Sequence, residues 1–365
     1  MKKILIKAYI NGNLGDDLFI IILAKRYPNT KFELLGSNKY KRNFIGLKNV
    51  NYISNNFCVK ILKRLFLLFP RSLSLRYSGV IEIGGSIFQQ ITKSNSVSKR
   101  RVILAKNLPY YILGSNFGPY NNEAFLYNYR TFFKKVNGIV FRDEESYSLF
   151  DKYGNVMLAP DLVLSLNTSM KHVKINNRKV IICPINLDSK RFGNNDLKLE
   201  TKDYERRLAN IITKFQKKGF SVEMLSFCDG EQDDTAIIRI LNQLSDDERS
   251  DVIFKRNVGL NYKLKTFETA EYVVGSRFHS MILSWKFQKK SLIISYNKKI
   301  DNTVKYLFPE QYYMSVTEFN NKDDFDLKKF IKIPLDVLRN IESESEKQFY
   351  YVDKFLDRKD TFTNE

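Results

Sequence analysis

The 365 residues carry 60 Lys and Arg against 40 Asp and Glu, a formal net charge of +20, with 43% hydrophobic and 14% aromatic residues. Such a chain is long enough for two domains with separate cores and too apolar to be disordered. The charge suits nucleic acid, an anionic lipid surface or anionic substrates; with the bases spread along the chain and no nucleic-acid-binding signature present, nucleic acid is not expected as a partner.

Short apolar runs alternate with amphipathic stretches, the pattern of an α/β protein. Met1-Lys2-Lys3 leads into an apolar run interrupted by Lys7, which reads as a first strand rather than a secretion signal. Strands are predicted at Ile4–Ile10, Phe32–Leu35, Val80–Ile83, Tyr110–Leu113, Gly138–Phe141 and Val156–Leu158, with helices at Asp16–Arg26, Glu123–Lys135 and Glu144–Tyr153. This set forms an N-terminal domain over 1–166. The polar, basic stretch 167–178, which holds the surface histidine His172, reads as a linker. A second domain over 179–335 has predicted strands at Val180–Cys183, Ser221–Phe227, Val252–Phe254, Tyr272–Val274 and Leu292–Ser295. Its helices fall at Asp203–Lys218, Asp234–Leu244, Leu260–Ala270, Ser280–Phe287 and Asn302–Leu307. A charged helical tail over 336–365 is expected to return to the first domain.

One early segment has a different character. Val59 to Tyr77 mixes Ile61, Leu62, Leu65, Phe66, Leu67, Leu68 and Phe69 with Lys60, Lys63, Arg64, Arg71 and Arg76. It reads either as an interfacial helix on an anionic membrane or as an ordinary helix with a solvated basic face. No apolar stretch is long enough to span a bilayer. Cys58, Cys183 and Cys228 are far apart with no Cys-x-x-Cys pair, so neither a metal site nor a disulfide framework is expected. The location these features predict is cytoplasmic, with peripheral contact at the inner face of the plasma membrane.

Glycine and polar residues gather after the predicted strands. They are Asn11-Gly12-Asn13-Leu14-Gly15-Asp16, Gly84-Gly85-Ser86, Gly114-Ser115-Asn116-Phe117-Gly118-Pro119, Arg142-Asp143, Asp161, the acidic loop Asp229 to Asp234, and Ser276-Arg277-Phe278-His279. Ligands of parallel α/β sheets bind beyond the carboxyl ends of strands, so these segments predict a cleft between two domains. The last of them is the most informative. Ser276 suits an N-cap, which would put Arg277 and His279 in the first turn of a helix. There the dipole and backbone N–H groups favour an anion, Arg277 offers a planar fork, and His279 can move a proton.

In their order these segments resemble the polysaccharide pyruvyl transferase family, from about residue 12 to about residue 285. The matching stretches are Gly12-Asn13-Leu14-Gly15-Asp16-Asp17, Gly84-Gly85-Ser86-Ile87-Phe88, Gly118-Pro119, Arg142-Asp143-Glu144-Glu145-Ser146, Pro160-Asp161, Glu231 to Asp234, and Ser276-Arg277-Phe278-His279. The resemblance implies two Rossmann-like domains similar to the GT-B glycosyltransferase fold. It also implies transfer of pyruvate from phosphoenolpyruvate to two hydroxyls of a sugar in a bacterial surface polysaccharide or its lipid-linked precursor, forming a cyclic ketal. On that reading Arg277, His279, Phe278, Ser276, Ser280, Arg142 and Lys298 bind phosphoenolpyruvate, with His279, Arg277 and Asp161 catalytic. Asn13, Gly15, Asp16, Gly85, Asn116, Glu231 and Asp234 face the acceptor, and no metal or cofactor is required. The family's first strand of the second domain often ends in Arg. Here Pro184-Ile185-Asn186 follows, and the nearest bases are Lys190 and Arg191.

Each residue also has a plain structural reading. Arg142 can pair with acids at a helix start, Asp16 and Asp143 can be N-terminal helix charges, Asp161 can be a turn residue, and Lys298 and Lys299 can form a solvated turn. Acid/base chemistry on the sugar hydroxyls could fall to Asp161, Asp16 or Asp234. A sugar-nucleotide-dependent glycosyltransferase of the same architecture is the alternative function.

Overall fold

A computed structural model describes residues 2–54, 56–168, 178–189, 196–322 and 326–356. His172, Lys190, Arg191 and most of the expected linker lie outside the described residues. The chain divides into two compact units: Met1–Ile10, Gly15–Leu166 and Glu342–Glu365 form the first, and Asn11–Leu14 and Asn167–Ile341 the second.

The first unit runs β1 (Lys3–Ala8), α1 (Leu14–Arg26), β2 (Lys31–Leu35), β3 (Val50–Ile53), α2 (Asn56–Leu68), α3 (Ser72–Arg76), β4 (Gly79–Ile83), α4 (Lys99–Asn107), β5 (Tyr110–Ser115), α5 (Glu123–Phe133), β6 (Gly138–Phe141), α6 (Glu144–Ser148) and β7 (Val156–Leu158). The second runs β8 (Lys179–Cys183), α7 (Thr201–Lys217), β9 (Ser221–Met224), α8 (Asp233–Leu241), α9 (Asp246–Ser250), β10 (Val252–Phe254), α10 (Leu260–Thr269), β11 (Tyr272–Gly275), α11 (Phe278–Lys286), β12 (Lys290–Ser295), α12 (Lys298–Leu307), β13 (Tyr313–Ser315) and α13 (Val316–Asn320). The chain ends in α14 (Leu335–Ser345) and α15 (Tyr350–Leu356).

Both sheets are parallel. Their orders are β3-β2-β1-β4-β5-β6-β7 and β10-β9-β8-β11-β12-β13. Each is the doubly wound Rossmann order, so each has a switch point, between β1 and β4 in one unit and between β8 and β11 in the other. The buried strands explain the apolar runs: every residue of β4 and β5 is buried. In the second unit α7 repeats Tyr204, Leu208, Ile212 and Phe215 along one face, all fully buried. Each such side chain contributes about 2 kcal/mol of burial. In the first unit Phe88, Phe117, Tyr129, Phe133, Phe141 and Phe150 form one aromatic cluster, with Phe117 and Phe150 edge-to-face at 5.0 Å. Much of the aromatic content is therefore core.

The C-terminal segment binds the first unit through specific groups. The Gln348 amide donates to the carbonyls of Ala159 (2.9 Å) and Pro160 (3.1 Å) and accepts from the Gly114 N–H (2.8 Å). Arg26 donates to Asp353 at 2.7 Å.

Several boundaries differ from the sequence reading. Asn11–Leu14 joins the second unit because its backbone pairs with the loop after β9: the Leu14 N–H donates to the Phe227 carbonyl at 2.9 Å. The basic apolar helix is two helices, because Pro70 lacks the N–H that would continue the first. Strands β3 and β13 were not predicted. Neither has a continuous buried run, since both lie at sheet edges.

Glu82 of β4 sits under the first sheet's helices. It accepts from Arg101 Nη2 (2.7 Å) and Tyr110 Oη (2.5 Å) and pairs with Lys7. Burial alone would raise its carboxyl; Lys7 and Arg101 outweigh burial and hold it at about 2. A depressed carboxylate contributes stability above its unfolded-state value, lost as pH falls through the folded value. Glu82 should thus contribute about 3 kcal/mol at neutral pH, fading between about pH 4.5 and about pH 2. Urea unfolding of the first unit is expected to weaken across that window, and Glu82→Gln to flatten the dependence while lowering stability at neutral pH.

Candidate active site

The second unit gathers charged groups at its switch point. Cys228 leads into a tight turn over Asp229–Glu231, and Gln232, in the left-handed region at φ 58°, reverses the chain so that α8 starts at Asp233. The Asp233 carboxylate thereby folds back on the N–H groups of Phe227 (3.2 Å) and Cys228 (2.9 Å), and accepts from the Asn186 N–H (3.3 Å). Arg277 donates from Nε to Asp233 at 2.9 Å, from Nη2 to its other oxygen, and from Nη1 to Glu231. All three charged side chains are buried. Burial works against the charge on Arg277, but Asp233 and Glu231 outweigh it and raise the guanidinium well above its usual value. Burial pushes the Asp233 carboxyl up, and Arg277 opposes that push. One N–H on each Nη of Arg277 is left over by this pairing.

The cap of α11 falls one residue later than expected, at Arg277 rather than Ser276, and the helix opens at Phe278 rather than Ser280. The chain stays extended through Ser276, whose N–H donates to the Cys183 carbonyl at 3.0 Å, so Arg277 itself is the N-cap. The Ser276 hydroxyl meets the Tyr204 hydroxyl at 2.7 Å instead of capping the helix. Ser280 Oγ donates to the Arg277 carbonyl at 2.6 Å and tightens the first turn. A Cβ on Gly275 would lie 2.5 Å from that hydroxyl, so glycine is what lets strand and helix approach. The helix is anchored by the fully buried Met281, Ile282, Leu283 and Trp285, and Trp285 donates to Gln311 at 2.9 Å.

His279 lies in the first turn, buried, edge-to-face with Phe278 at 5.2 Å. Lys299 stands 4.4 Å over the Phe278 ring, whereas Lys298 is exposed at the start of α12. Lys299 rather than Lys298 is therefore the lysine beside this segment. Cys228, next to the ion cluster, is a buried thiol pushed up to about 12 by burial, which leaves it without nucleophilic character at neutral pH.

The first unit has its own cluster. Arg142, at the end of β6, pairs with Asp161 at 2.6 Å, both nearly inaccessible, and donates to Asn116 Oδ1 at 3.1 Å. Asp161 also caps a tight turn by accepting from the Val163 N–H at 2.9 Å. One oxygen of Asp161 thus meets Arg142 and the other that N–H, so the carboxylate holds the arginine at the end of β6. Asp16 accepts from the Gly85 N–H at 3.2 Å, and Ser86 donates to Asn116 at 3.1 Å. A Cβ on Gly85 would come 2.3 Å from Arg142 Nη2. Asp143 caps α6 through the Ser146 N–H at 2.8 Å, its plain structural reading.

The expected sets are thus regrouped. Asp16, Gly85 and Asn116 join Arg142 and Asp161 in the first unit, with Gly15 buried in α1. Asn13 instead bridges Cys228 in the second unit, and Glu231 binds Arg277. Asp234 is only half-buried; its neighbour Asp233 is the residue that meets Arg277. Helical phase carries that signal, because Asp233, Ala236, Ile237 and Ile240 share the buried face of α8. Arg239 was also missed. It donates to Asn186 Oδ1 at 2.9 Å and to Glu205 at 2.5 Å, and so brings an arginine to the end of β8 from α8. Nothing local in the sequence marks it, since Glu205 is a turn of a different helix.

A family model described as polysaccharide pyruvyl transferase matches residues 13–298. The chain belongs to this family. Among curated proteins it is similar to the amylovoran biosynthesis protein AmsJ of Erwinia amylovora, 23% identical, with 84% of this chain and 86% of that protein aligned. Among solved structures, MnaA of S. aureus, in complex with UDP, aligns with a TM-score of 0.60 at 9% identity, over 98% of this chain and 97% of that one. HepE of Anabaena, in complex with UDP and glucose, aligns at 0.54 and 12% identity, over 98% and 99%. The fold is thus of the GT-B type. Among the described residues no group of three or more His, Cys, Asp or Glu is placed to hold a metal, and no helix is long and apolar enough to cross a membrane.

Replacing Asp233 by Ala strands Arg277 and three backbone N–H groups in a buried site, which costs about 3–5 kcal/mol. Asp234→Ala should stay within about 0.5 kcal/mol of the parent. Paired denaturant titrations of the two variants check this.

Proposed function

We propose that this family member transfers pyruvate from phosphoenolpyruvate to two hydroxyls of one sugar, as a cyclic ketal, during exopolysaccharide biosynthesis. The observation that carries the reading is the Arg277-Phe278-His279 segment, which falls inside the family match and opens α11 at the switch point of the second unit. Phosphoenolpyruvate is anionic at both phosphate and carboxylate. Arg277 and the positive end of α11 would take one of these groups, with Lys299 nearby for the other. Ser276, Phe278 and Ser280 hold that geometry. In the first unit, Asp16, Gly85 and Asn116 would face the sugar, with Arg142 fixed by Asp161.

The chemistry balances without a metal or redox cofactor. Two sugar O–H bonds, the C–O bond to phosphate and the C=C π bond break, and two C–O bonds form at the pyruvyl carbon. The methylene carbon gains one proton and becomes a methyl group, and the other proton leaves with phosphate. His279 is the proton carrier of this scheme.

The ion cluster adds a constraint. Arg277 faces two carboxylates, so an incoming anion must displace Glu231 from Nη1 while Asp233, held by backbone N–H groups, stays. Glu231→Gln is therefore expected to lower the apparent KM for phosphoenolpyruvate. Arg277→Ala would leave two buried carboxylates facing each other, so Arg277→Lys is the cleaner variant. It keeps the charge, loses the fork, and should raise that KM about tenfold or more. His279→Ala should lower kcat about 100-fold with little change in KM, and His279→Gln should not restore it.

The assay is phosphate release from phosphoenolpyruvate across a panel of sugar and lipid-linked acceptors, beside nucleotide release from sugar nucleotides. Release of a nucleoside diphosphate with none from phosphoenolpyruvate would assign a glycosyltransferase instead.

A further inference from the structure

Helices α2 and α3 carry apolar side chains on the outside. Phe66 is buried, its ring edge-to-face with Tyr77 at 5.8 Å, and Leu73 is fully buried. These two residues hold the segment on the first unit. At about 100° per residue, Phe57, Ile61, Leu65 and Leu68 form one stripe on the side of α2 opposite Phe66. Phe57 is 71% exposed and Leu68 70%; Phe69 follows at 61% and Leu75 of α3 at 90%. A folded domain rarely leaves so many large apolar residues uncovered within one short stretch.

The charge around them is one-sided. Exposed Lys60 and Arg64 lie on the same side of α2, and exposed Arg71 and Arg76 lie on and beside α3. Between Glu33 and Glu123 the sequence holds fourteen Lys and Arg and a single acid, Glu82, which is buried under Lys7 and Arg101. The bases of this chain are therefore not evenly spread, and this stretch supplies most of its net charge. Glu33, the nearest acid before it, is itself spent on Lys3 and Arg76.

We infer that the outer face of α2 and α3 docks on an anionic lipid bilayer. Apolar side chains ringed by bases, with no exposed acid among them, match an interface in which acyl chains lie beneath anionic headgroups. A protein partner would need acids placed against each base, and a second copy of this face would bring like charges together. The inference stands on exposure and charge alone and does not depend on the pyruvyl-transfer reading. Vesicles free of any sugar acceptor keep the two tests apart.

The experiment is sedimentation of the full chain with vesicles of phosphatidylcholine, with and without about a quarter phosphatidylglycerol, at about 0.1 M salt. Binding is expected only to the anionic vesicles. Lys60→Glu with Arg64→Glu should weaken it about tenfold or more, and Leu68→Ser with Phe69→Ser should weaken it comparably. Lys217→Glu with Lys218→Glu, the same charge change on exposed residues of the second unit, should have little effect. Unchanged thermal melting and circular dichroism would show that the variants fold. No binding to anionic vesicles overturns the inference. So does equal weakening by the second-unit control, which would reduce the effect to net charge. A dimer in light scattering that Leu68→Ser with Phe69→Ser dissolves would assign the face to a second copy and also overturn it.

Discussion

The arrangement on which the second unit depends is one buried arginine held by two carboxylates. Arg277 caps α11, Asp233 starts α8 and Glu231 closes the turn after β9, so their pairing ties together the segments that follow β9 and β11, the strands on either side of β8. The cluster is stable because each charge has several partners. Asp233 takes backbone N–H groups as well as Arg277, and Arg277 spends both edges of its fork. Removing one member would leave the others charged and dry, which costs more than the pair itself contributes. The same demand fixes the backbone, since Gln232 must turn left-handed for Asp233 to reach back.

The first unit solves a similar problem with a simpler pair. Arg142 and Asp161 balance one charge against one, and Asn116 and Gly85 shape the space around the guanidinium. Glu82 shows the inverse arrangement, one carboxylate among bases. In each case the sequence offers isolated charged residues, and only the parallel sheet brings them to one place.

That difference sets what could be read from the chain. Buried parallel strands announce themselves as apolar runs, so the α/β class, most strands and the return of a C-terminal helix were legible. The edge strands β3 and β13 lack such runs. Pro70 stands in the sequence, but the apolar pattern runs on across it and hides the break it makes. At the site, the segment Ser276–His279 was found because glycine, serine, arginine and histidine stand together after a strand. Its partners were harder. Asp233 and Asp234 are adjacent, and composition cannot choose between them; the helical phase of α8 can. Arg239 and Asn186 meet through a contact 53 residues apart in sequence, for which no local pattern exists.

On the proposed function, charge balance would favour exchange over static anion capture at Arg277. With two carboxylates on one guanidinium the group is already anionic, so a further anion gains little unless a carboxylate leaves. The two carboxylates are not equivalent. Asp233 is inaccessible and anchored by the backbone of Phe227, Cys228 and Asn186, whereas Glu231 reaches Arg277 through one Nη. Displacing Glu231 restores a neutral pair and frees donors of Arg277 at the helix N-terminus, beside Lys299 on the Phe278 ring. Before such an exchange the arginine is held in place; after it, its fork would face the new anion at little cost in ordering, because α11 and α8 already fix it.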